Sequence, residues 1–344
     1  MRRIVVLGGR GIFGAAVAQA LRQRGHQPLT PSRREVDAEN RAELLGWLQP
    51  GDIVIDAAGP FQGRTSALLE AAMQVRADVI DLSDSLDYAL AVRGMENRLR
   101  AAGIRVFNSC SAVSAVTAAA IRQCGLGEPV GVSVCLVPAC RETPSRGTVT
   151  SLLASVGRPV RVLRQGQLAV ETGWRLSRLF SLPSGLGEVR GYLTESADAV
   201  TLPPVWPSLR EIEFWVDTHV LWANAVLARV PTRVYAARRG QRLLAAASAQ
   251  LARIAGSSGG GYAVEGRGPK WLGGGPAGGV WVSAGTTVED SDDRLVVDSP
   301  PSWPALNAPS WVELSSPKSV ADRPLTWVVV RPASWDVVSD CAWV

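Results

Sequence analysis

Lysine and histidine are scarce in this sequence. Lysine occurs only at Lys270 and Lys318, and the whole chain of 344 residues contains two histidines. No lysine stands four residues after a tyrosine, so the Tyr-x-x-x-Lys pair of short-chain dehydrogenases is absent. The chemistry of that class is therefore excluded, because it needs both side chains to move a proton.

Cysteines are few, and their spacing shows no pattern. There are five, an odd number, and none stands at C-x-x-C spacing (Cys110, Cys124, Cys135, Cys140, Cys341). With only two histidines as further ligands, we predict reduced thiols and no metal site. Cys110 could be a nucleophile, but no histidine near it in sequence would generate a thiolate, so we prefer a buried structural thiol.

Long apolar runs are also missing. No uninterrupted run reaches the ~18 residues of a membrane span, and the chain begins directly with a strand pattern rather than a signal peptide. We therefore expect a cytoplasmic protein without a membrane partner. The net charge is +5, but the basic residues are spread along the chain and interleaved with 31 acids. This distribution predicts no nucleic-acid partner and a modest preference for anionic small molecules.

A glycine turn stands between a strand pattern and a helix pattern near the start. The apolar residues 4–7 predict the strand, and the Ala-rich residues 12–24 predict the helix. Between them Gly9 permits a tight turn, Gly11 lets backbone amides approach a pyrophosphate, and Gly14 lets the helix pack closely. The residues expected to bind a dinucleotide here are Gly8, Gly9, Gly11, Ile12, Phe13 and Gly14. The alternative is an ordinary tight turn; an ATP-binding phosphate loop is disfavoured, because it lacks the Lys-Ser/Thr pair.

The next strand tip selects the form of the dinucleotide. Residues 27–30 predict a second strand, which ends in Ser32, Arg33 and Arg34. NAD-binding proteins have an acid near this position for the ribose 2′-hydroxyl, whereas a guanidinium can grip a 2′-phosphate. Here the nearest acid, Glu35, comes one residue beyond the arginines, so we predict NADP as the cofactor. The alternative is that both arginines are solvated turn residues.

Strand and helix patterns then alternate, as in a parallel sheet wrapped by helices. Residues 42–48 and 65–75 predict helices, and residues 52–57 and 78–82 predict strands. The first of these strands ends in small residues that let a cofactor pass close to the backbone, and we assign cofactor contacts to Ala58, Gly59, Pro60 and Phe61. Further patterns predict a helix over 90–102, a strand over 104–107, a helix over 113–124 and a strand over 130–137 that finishes this part.

Three segments together resemble the NADP-binding domain of the saccharopine dehydrogenase family. They are residues 8–14, residues 56–63 (D-A-A-G-P-F-Q-G) and residues 81–85 (D-L-S-D-S). The A-G-P-F-x-G element followed by an Asp-rich strand tip is more specific than the glycine spacing. The resemblance continues more faintly and ends near Gly268. It implies an NADP-dependent oxidoreductase fold, in which a Rossmann domain is joined to an α+β domain that shapes the substrate cleft and often dimerises.

The fold class is therefore α/β, with a Rossmann-type doubly wound parallel sheet followed by an α+β second domain. We predict the NADP-binding domain over residues 1–128, the α+β substrate and dimerisation domain over 129–268, and an atypical tail over 269–344. Seven of the twelve tryptophans fall in that tail, amid Pro, Ser and Gly clusters. We interpret it as an out-of-frame or disordered ending. A homodimer is expected from the resemblance.

Candidates for proton transfer follow the strand predicted over residues 78–82. Asp84, Ser83 and Tyr88 lie just beyond its tip and could donate or relay a proton. Residues 81–85 might equally cap the next helix, the role we favour for them. His219 is a further candidate, although a structural role is more common for a single histidine on an apolar stretch.

The function predicted is hydride transfer to or from an imine, amino-acid adduct or carbonyl substrate. Arginines of the second domain (Arg141, Arg146, Arg158, Arg161, Arg164) suggest that the small-molecule substrate carries a carboxylate, unless they form a solvated basic face. The alternative function is an NADP-binding regulatory or scaffold protein without turnover.

Overall fold

The computed structural model describes residues 2–111, 113–123, 127–138, 153–182, 187–220, 223–229, 260–268 and 278–284, with single residues at 246, 250 and 254. They form two compact units, divided between Ala115 and Val116. Among the described residues, no helix has the length and apolar character that crossing a membrane requires.

The first unit is built on a parallel four-stranded sheet with its helices. The strands are β1 (Ile4–Leu7), β2 (Ile53–Asp56), β3 (Asp78–Asp81) and β4 (Val106–Phe107), hydrogen-bonded in that order. The helices are α1 (Ile12–Gln23), α2 (Arg41–Trp47), α3 (Ala67–Val75), α4 (Leu86–Gly94) and α5 (Glu96–Ala101). Val5, Val54 and Val79 are fully buried and place the core of the unit on the sheet. The predicted Rossmann-type α/β fold is confirmed.

Two local predictions differ from the structure. Residues 27–30 form only an isolated parallel bridge between Leu29 and Val5, since Pro28 has no N–H to extend the pairing. The helix predicted over residues 90–102 is two helices, because the chain turns at Met95 after the helix-weakening Gly94. By contrast α1 ends as predicted: Gly25 has φ +81°, and the N–H of His26 bonds to the carbonyl of Leu21.

The second unit contains a mixed eight-stranded sheet. Its strands are β5 (Gly131–Val137), β6 (Pro159–Arg164), β7 (Gln167–Thr172), β8 (Ser177–Leu182), β9 (Gly187–Thr194), β10 (Glu211–Val216), β11 (Gly260–Arg267) and β12 (Gly278–Ala284). Helices α6 (Ala115–Gln123), α7 (Asp198–Thr201) and α8 (Ala223–Arg229) accompany them. The order is β12-β11-β5-β10-β6-β7; β9 pairs with β10, and β8 with β9.

The strand predicted to finish the Rossmann pattern belongs to this second sheet. β5 pairs in parallel with β10 and antiparallel with β11, which are distant in sequence. Helix α6 also lies in the second unit, where Thr117 bonds to Asp198 at 3.1 Å and Tyr262 at 2.7 Å. Within the segment 269–344, β12 pairs with β11 over seven residues.

Candidate functional site

Close backbone contacts require two of the glycines in the turn after β1. Gly8 has φ +71°, and a Cβ there would lie 2.7 Å from the carbonyl oxygen of Ala57. A Cβ on Gly14 would overlap with the carbonyl oxygen of Gly8. The tight turn predicted for Gly9 is thus made at Gly8, and Gly14 lets α1 approach the turn itself. A side chain on Gly8 would push the turn away from the residues that follow β2, and one on Gly14 would push α1 away from the turn.

The first turn of α1 is open to an anion. Gly11 is its N-cap and offers no side-chain oxygen, and the first turn holds no acidic residue. Ile12 and Phe13 follow with about a third of their surface exposed, at 37% and 36%. The N-terminus of a twelve-residue helix favours negative charge through its N–H groups and its dipole. A phosphate at this position would take the place of a cap.

A groove of about 370 Å³ lies at the carboxyl end of β1 and β2. Three segments line it: the glycine turn, residues 31–39 and residues 57–64. β1 bridges to Leu29 on one side and pairs with β2 on the other, so the strand order reverses at β1. Open α/β sheets bind their ligands in the crevice at such a switch point.

Carboxylates surround the arginines predicted to select NADP. Glu35 accepts hydrogen bonds from the backbone N–H of Ser32 at 2.7 Å and its hydroxyl at 2.6 Å, and these bonds lower the pKa of Glu35. Arg33 is 82% exposed and pairs with Asp37 at 3.1 Å. Arg34 is exposed. Sequence reasoning did not anticipate the role of Glu35, although a serine three residues before a glutamate is a signal for such a contact.

A buried ion-pair cluster holds the loop after β2. The side chain of Arg64 is only 5% exposed and pairs with the fully buried Asp56. Its Nε lies 2.9 Å from Oε1 of Glu39, and its Nη1 donates to the carbonyl of Ala58 at 3.0 Å. Burial lowers the pKa of Arg64, but the attraction of Asp56, its hydrogen bond and the charge of Glu39 together outweigh burial and raise the pKa, so the guanidinium stays charged. The sequence did not single out Arg64 or Glu39.

Of the three residues predicted to transfer a proton, Asp84 is the only one that is not buried. Asp84 accepts a bond from the Gln62 amide at 3.2 Å, and Gln62 lines the groove. Ser83 is fully buried and accepts the N–H of Ser85. Tyr88 is 2% exposed in the core beside Phe61, and its hydroxyl has no hydrogen-bond partner among the described residues.

The alternative capping role of this strand tip is present in the structure. Ser85 is the N-cap of α4, and its hydroxyl accepts the N–H of Tyr88 at 3.3 Å. Asp81 is fully buried and accepts bonds from Ser83, Ser109 and Asn108, which joins the ends of β3 and β4. Burial raises the pKa of Asp81 to about 6.

Two of the arginine candidates in the second unit form ion pairs with glutamates. Arg161 pairs with Glu195 at 2.9 Å and Arg164 with Glu213 at 2.5 Å. His219 has φ +49°, and its Nδ1 is buried and has no hydrogen-bond partner within the described part of the chain. Residues 124, 140, 141, 146, 222 and 341 lie outside the described residues. Within the described part of the chain, no cluster of His, Cys, Asp and Glu could hold a metal ion.

These features define a Rossmann-type α/β fold with a glycine turn at a helix N-terminus that has no side-chain cap. No family model matches the chain, and no curated protein matches it either. Among solved structures it is similar to the WlbA (WbpB) dehydrogenase from Thermus thermophilus, in complex with NAD and UDP-GlcNAcA, with 12% identity, 74% of this chain and 94% of that chain covered, and a TM-score of 0.32.

Two further structures show similarity at the same level. An oxidoreductase from Sinorhizobium meliloti has 14% identity over 88% of this chain and 80% of its own, with a TM-score of 0.34. Biliverdin reductase from Synechocystis sp. PCC 6803, in complex with biliverdin and NADP+, has 14% identity over 62% and 71%, with a TM-score of 0.28. Similarity this low assigns no function, so the chemistry has to be argued from the residues of this chain.

Proposed function

We propose that this chain is an NADP-dependent oxidoreductase of the saccharopine dehydrogenase-like type, which transfers hydride to or from an imine, amino-acid adduct or carbonyl substrate. The observation that carries the proposal is the groove at the switch point of the sheet, where the uncapped N-terminus of α1 and the loop after β2 meet. A dinucleotide fits this arrangement, because its diphosphate would replace the missing cap and its ends would extend along the groove.

The residues that would hold the dinucleotide are those of the glycine turn and the loop after β2. Gly11 leaves the approach to the N–H groups of Ile12 and Phe13 free of a side chain, while Ala58 and Gly59 present backbone to the groove. When bound, the nicotinamide supplies the hydride chemistry, so the protein has only to bind and orient the reactants. Asp84, held by Gln62 at the edge of the groove, is our candidate for proton transfer.

The preference for NADP over NAD is proposed from Arg33 and Arg34. Arg33 lines the groove, and its guanidinium could exchange Asp37 for a 2′-phosphate. Glu35 and Asp37 oppose this preference, because their negative charges repel a phosphate. A charged hydrogen bond from Arg33 would contribute about 1.5–3 kcal/mol, which is about ten- to a hundredfold in affinity.

We also propose that the substrate carries a carboxylate, but fewer of the predicted arginines are available to bind it. Arg161 and Arg164 each pair with a glutamate, so they are committed within the second unit. Arg141 and Arg146, outside the described residues, are the remaining candidates of the predicted set, together with Arg158. A dinucleotide-binding regulatory protein without turnover is the second candidate function, and the burial of Ser83 and Tyr88 favours it.

Binding and turnover assays separate these functions. NADPH, NADH and ATP are titrated against the protein, and NADPH oxidation is then measured with panels of imines and keto acids. We expect NADPH to bind most tightly and at least one panel member to be reduced. Binding of NADPH without turnover would favour the regulatory protein, and failure of both dinucleotides to bind would contradict the proposal.

Arg33→Ala tests the cofactor preference. We expect NADPH to bind about ten- to a hundredfold more weakly, because a contact to the 2′-phosphate is lost, and NADH to bind as before. Arg24→Ala, an exposed arginine at the other end of α1, is the matched control. An unchanged ratio of NADPH to NADH affinity in Arg33→Ala would reject the role of Arg33.

A further inference from the structure

We propose that Glu39, Arg64 and Asp56 form a positioning cluster, here called the groove clasp, which sets the spacing of the groove walls and thereby the affinity for the dinucleotide. The clasp acts through the walls that it joins rather than by gripping the ligand. This inference rests on the proposed function and concerns the same groove.

The clasp fixes the backbone of the loop after β2 at Ala58. The N–H of Ala58 donates to Oδ1 of Asp56 at 3.0 Å, and its carbonyl accepts Nη1 of Arg64 at 3.0 Å. Arg64 Nη2 closes the ring by donating to Oδ2 of Asp56. Both peptide groups of Ala58 are therefore held by two side chains that are themselves paired.

Glu39 connects this loop to the opposite wall of the groove. Its Oε1 lies 2.9 Å from Nε of Arg64, and its Oε2 accepts the N–H and the hydroxyl of Thr65 at 3.1 and 2.5 Å. Glu39 belongs to the lining segment 31–39, whereas Arg64 ends the lining segment 57–64. One ion pair thus spans the two walls, and the bonds from Thr65, the residue after Arg64, to Glu39 reinforce it.

The glycine turn, which is the third wall of the groove, packs against the same backbone at Ala58. A Cβ on Gly8 would lie 2.7 Å from the Cα of Ala58, so the glycine turn packs directly against the loop. A displacement of Ala58 would be transmitted to the turn that presents the N–H groups of α1. Anion binding by fixed backbone donors is sensitive to such displacements, because a hydrogen bond weakens when its distance and angle depart from their preferred values.

Each nitrogen of the Arg64 guanidinium faces a protein group. Nε faces Glu39, Nη1 bonds to Ala58 and Nη2 bonds to Asp56, and the plane lies over the ring of Phe61 at 5.4 Å. A buried ion pair adds little net stability, whereas removal of one partner leaves an uncompensated charge. These contacts favour a role in placing the walls over a role in direct recognition.

The test compares the clasp with a second ion pair of the first unit. Glu39→Gln removes the charge that spans the walls, and Arg64→Lys removes the fork that reaches three partners at once. Arg3 pairs with the buried Asp52 through two bonds of 2.9 and 2.7 Å, at the amino ends of β1 and β2 and so at the edge opposite the groove. Arg3→Lys is therefore the matched control. NADPH binding and urea unfolding are measured for each variant.

We expect Glu39→Gln and Arg64→Lys to raise the Kd for NADPH at least about tenfold, while Arg3→Lys leaves it as in the wild type, with each variant shown to be folded by its urea transition. Hydrogen exchange at Ala58 and Gly9 should also accelerate in Glu39→Gln without ligand. If the wild type binds NADPH and both variants bind equally well, the inference is wrong while the proposed function stands. If the wild type binds no dinucleotide, the proposed function fails; unchanged exchange in Glu39→Gln would overturn the clasp independently.

Discussion

Burial distinguishes the roles of the carboxylates in the first unit. Asp78 is paired with Arg2 and Arg105, and the bonds from Arg105 lead the effects that lower its pKa despite partial burial. Asp81 is fully buried and faces only neutral donors, so burial prevails and raises its pKa to about 6. The two residues bound the same strand, yet their contributions to stability depend on pH in opposite directions.

Asp81 should make the protein less stable as pH rises from about 4 to about 6. Its folded pKa lies above the unfolded value of about 3.9, so the folded state keeps a proton that the unfolded state has released. The stabilisation is complete below the unfolded pKa and is lost through the folded pKa, a change of up to about 3 kcal/mol. Urea unfolding of wild type and Asp81→Asn at several pH values measures it as the difference between the two curves.

Asp87→Asn, a change at an exposed position on α4, is the control for that measurement. We expect its curve to run parallel to that of the wild type, whereas the wild type should lose up to about 3 kcal/mol of stability relative to Asp81→Asn between about pH 4 and about pH 6. Parallel curves for Asp81→Asn would show that the carboxyl is ionised throughout the range.

The sequence could identify the strand tips but not the burial of the residues that follow them. Asp84, Ser83 and Tyr88 are candidates for proton transfer because they come after a strand, and only the packing shows that Ser83 and Tyr88 are buried. The roles of Arg64 and Glu39 depend on a contact between segments 25 residues apart, for which no local pattern exists. Their part in binding, like that of the other site residues, stays a prediction.

The glycine turn and α1 are the elements that the sequence predicted most fully. Gly14 has no side chain, so α1 can approach the backbone of Gly8 without a clash, and Gly25 ends the helix in the left-handed region. Both are short-range requirements, so the order of residues suffices to reveal them. The pairing of β5 with β10 and β11 is long-range, which explains why its place in the second sheet was not predicted.

Gly14→Ala should destabilise the protein and weaken NADPH binding together. Its Cβ would overlap with the backbone carbonyl of Gly8, which cannot rotate away, and overpacking of this kind costs about 1–3 kcal/mol or more. Gly46→Ala is the matched control, since a Cβ there meets nothing within 4 Å and α2 should gain about 0.5–1 kcal/mol. Urea unfolding and NADPH titration of both variants check this; a Gly14→Ala protein as stable as Gly46→Ala would contradict the close approach.

At the scale of the whole chain, each unit has a core of its own. The first unit buries Val5, Val54 and Val79 on its parallel sheet, whereas the second buries Phe180 and Trp215 on its mixed sheet. All three segments that line the groove precede Ala115, so the residues proposed to bind the dinucleotide belong to the first unit. Binding of a dinucleotide is therefore expected to slow hydrogen exchange in the first unit.

Hydrogen exchange with and without NADPH should show where this protection lies. At a hundred times the Kd, a ligand that binds only the folded state stabilises it by about 2.7 kcal/mol, so amides that exchange by opening of the binding unit slow accordingly. We expect protection in residues 8–14, 31–39 and 57–64 and in β1 and β2. Strands β5 and β10 contribute no residue to the groove and serve as the internal reference. Protection that omits the glycine turn would place the ligand elsewhere and contradict the assignment of the groove.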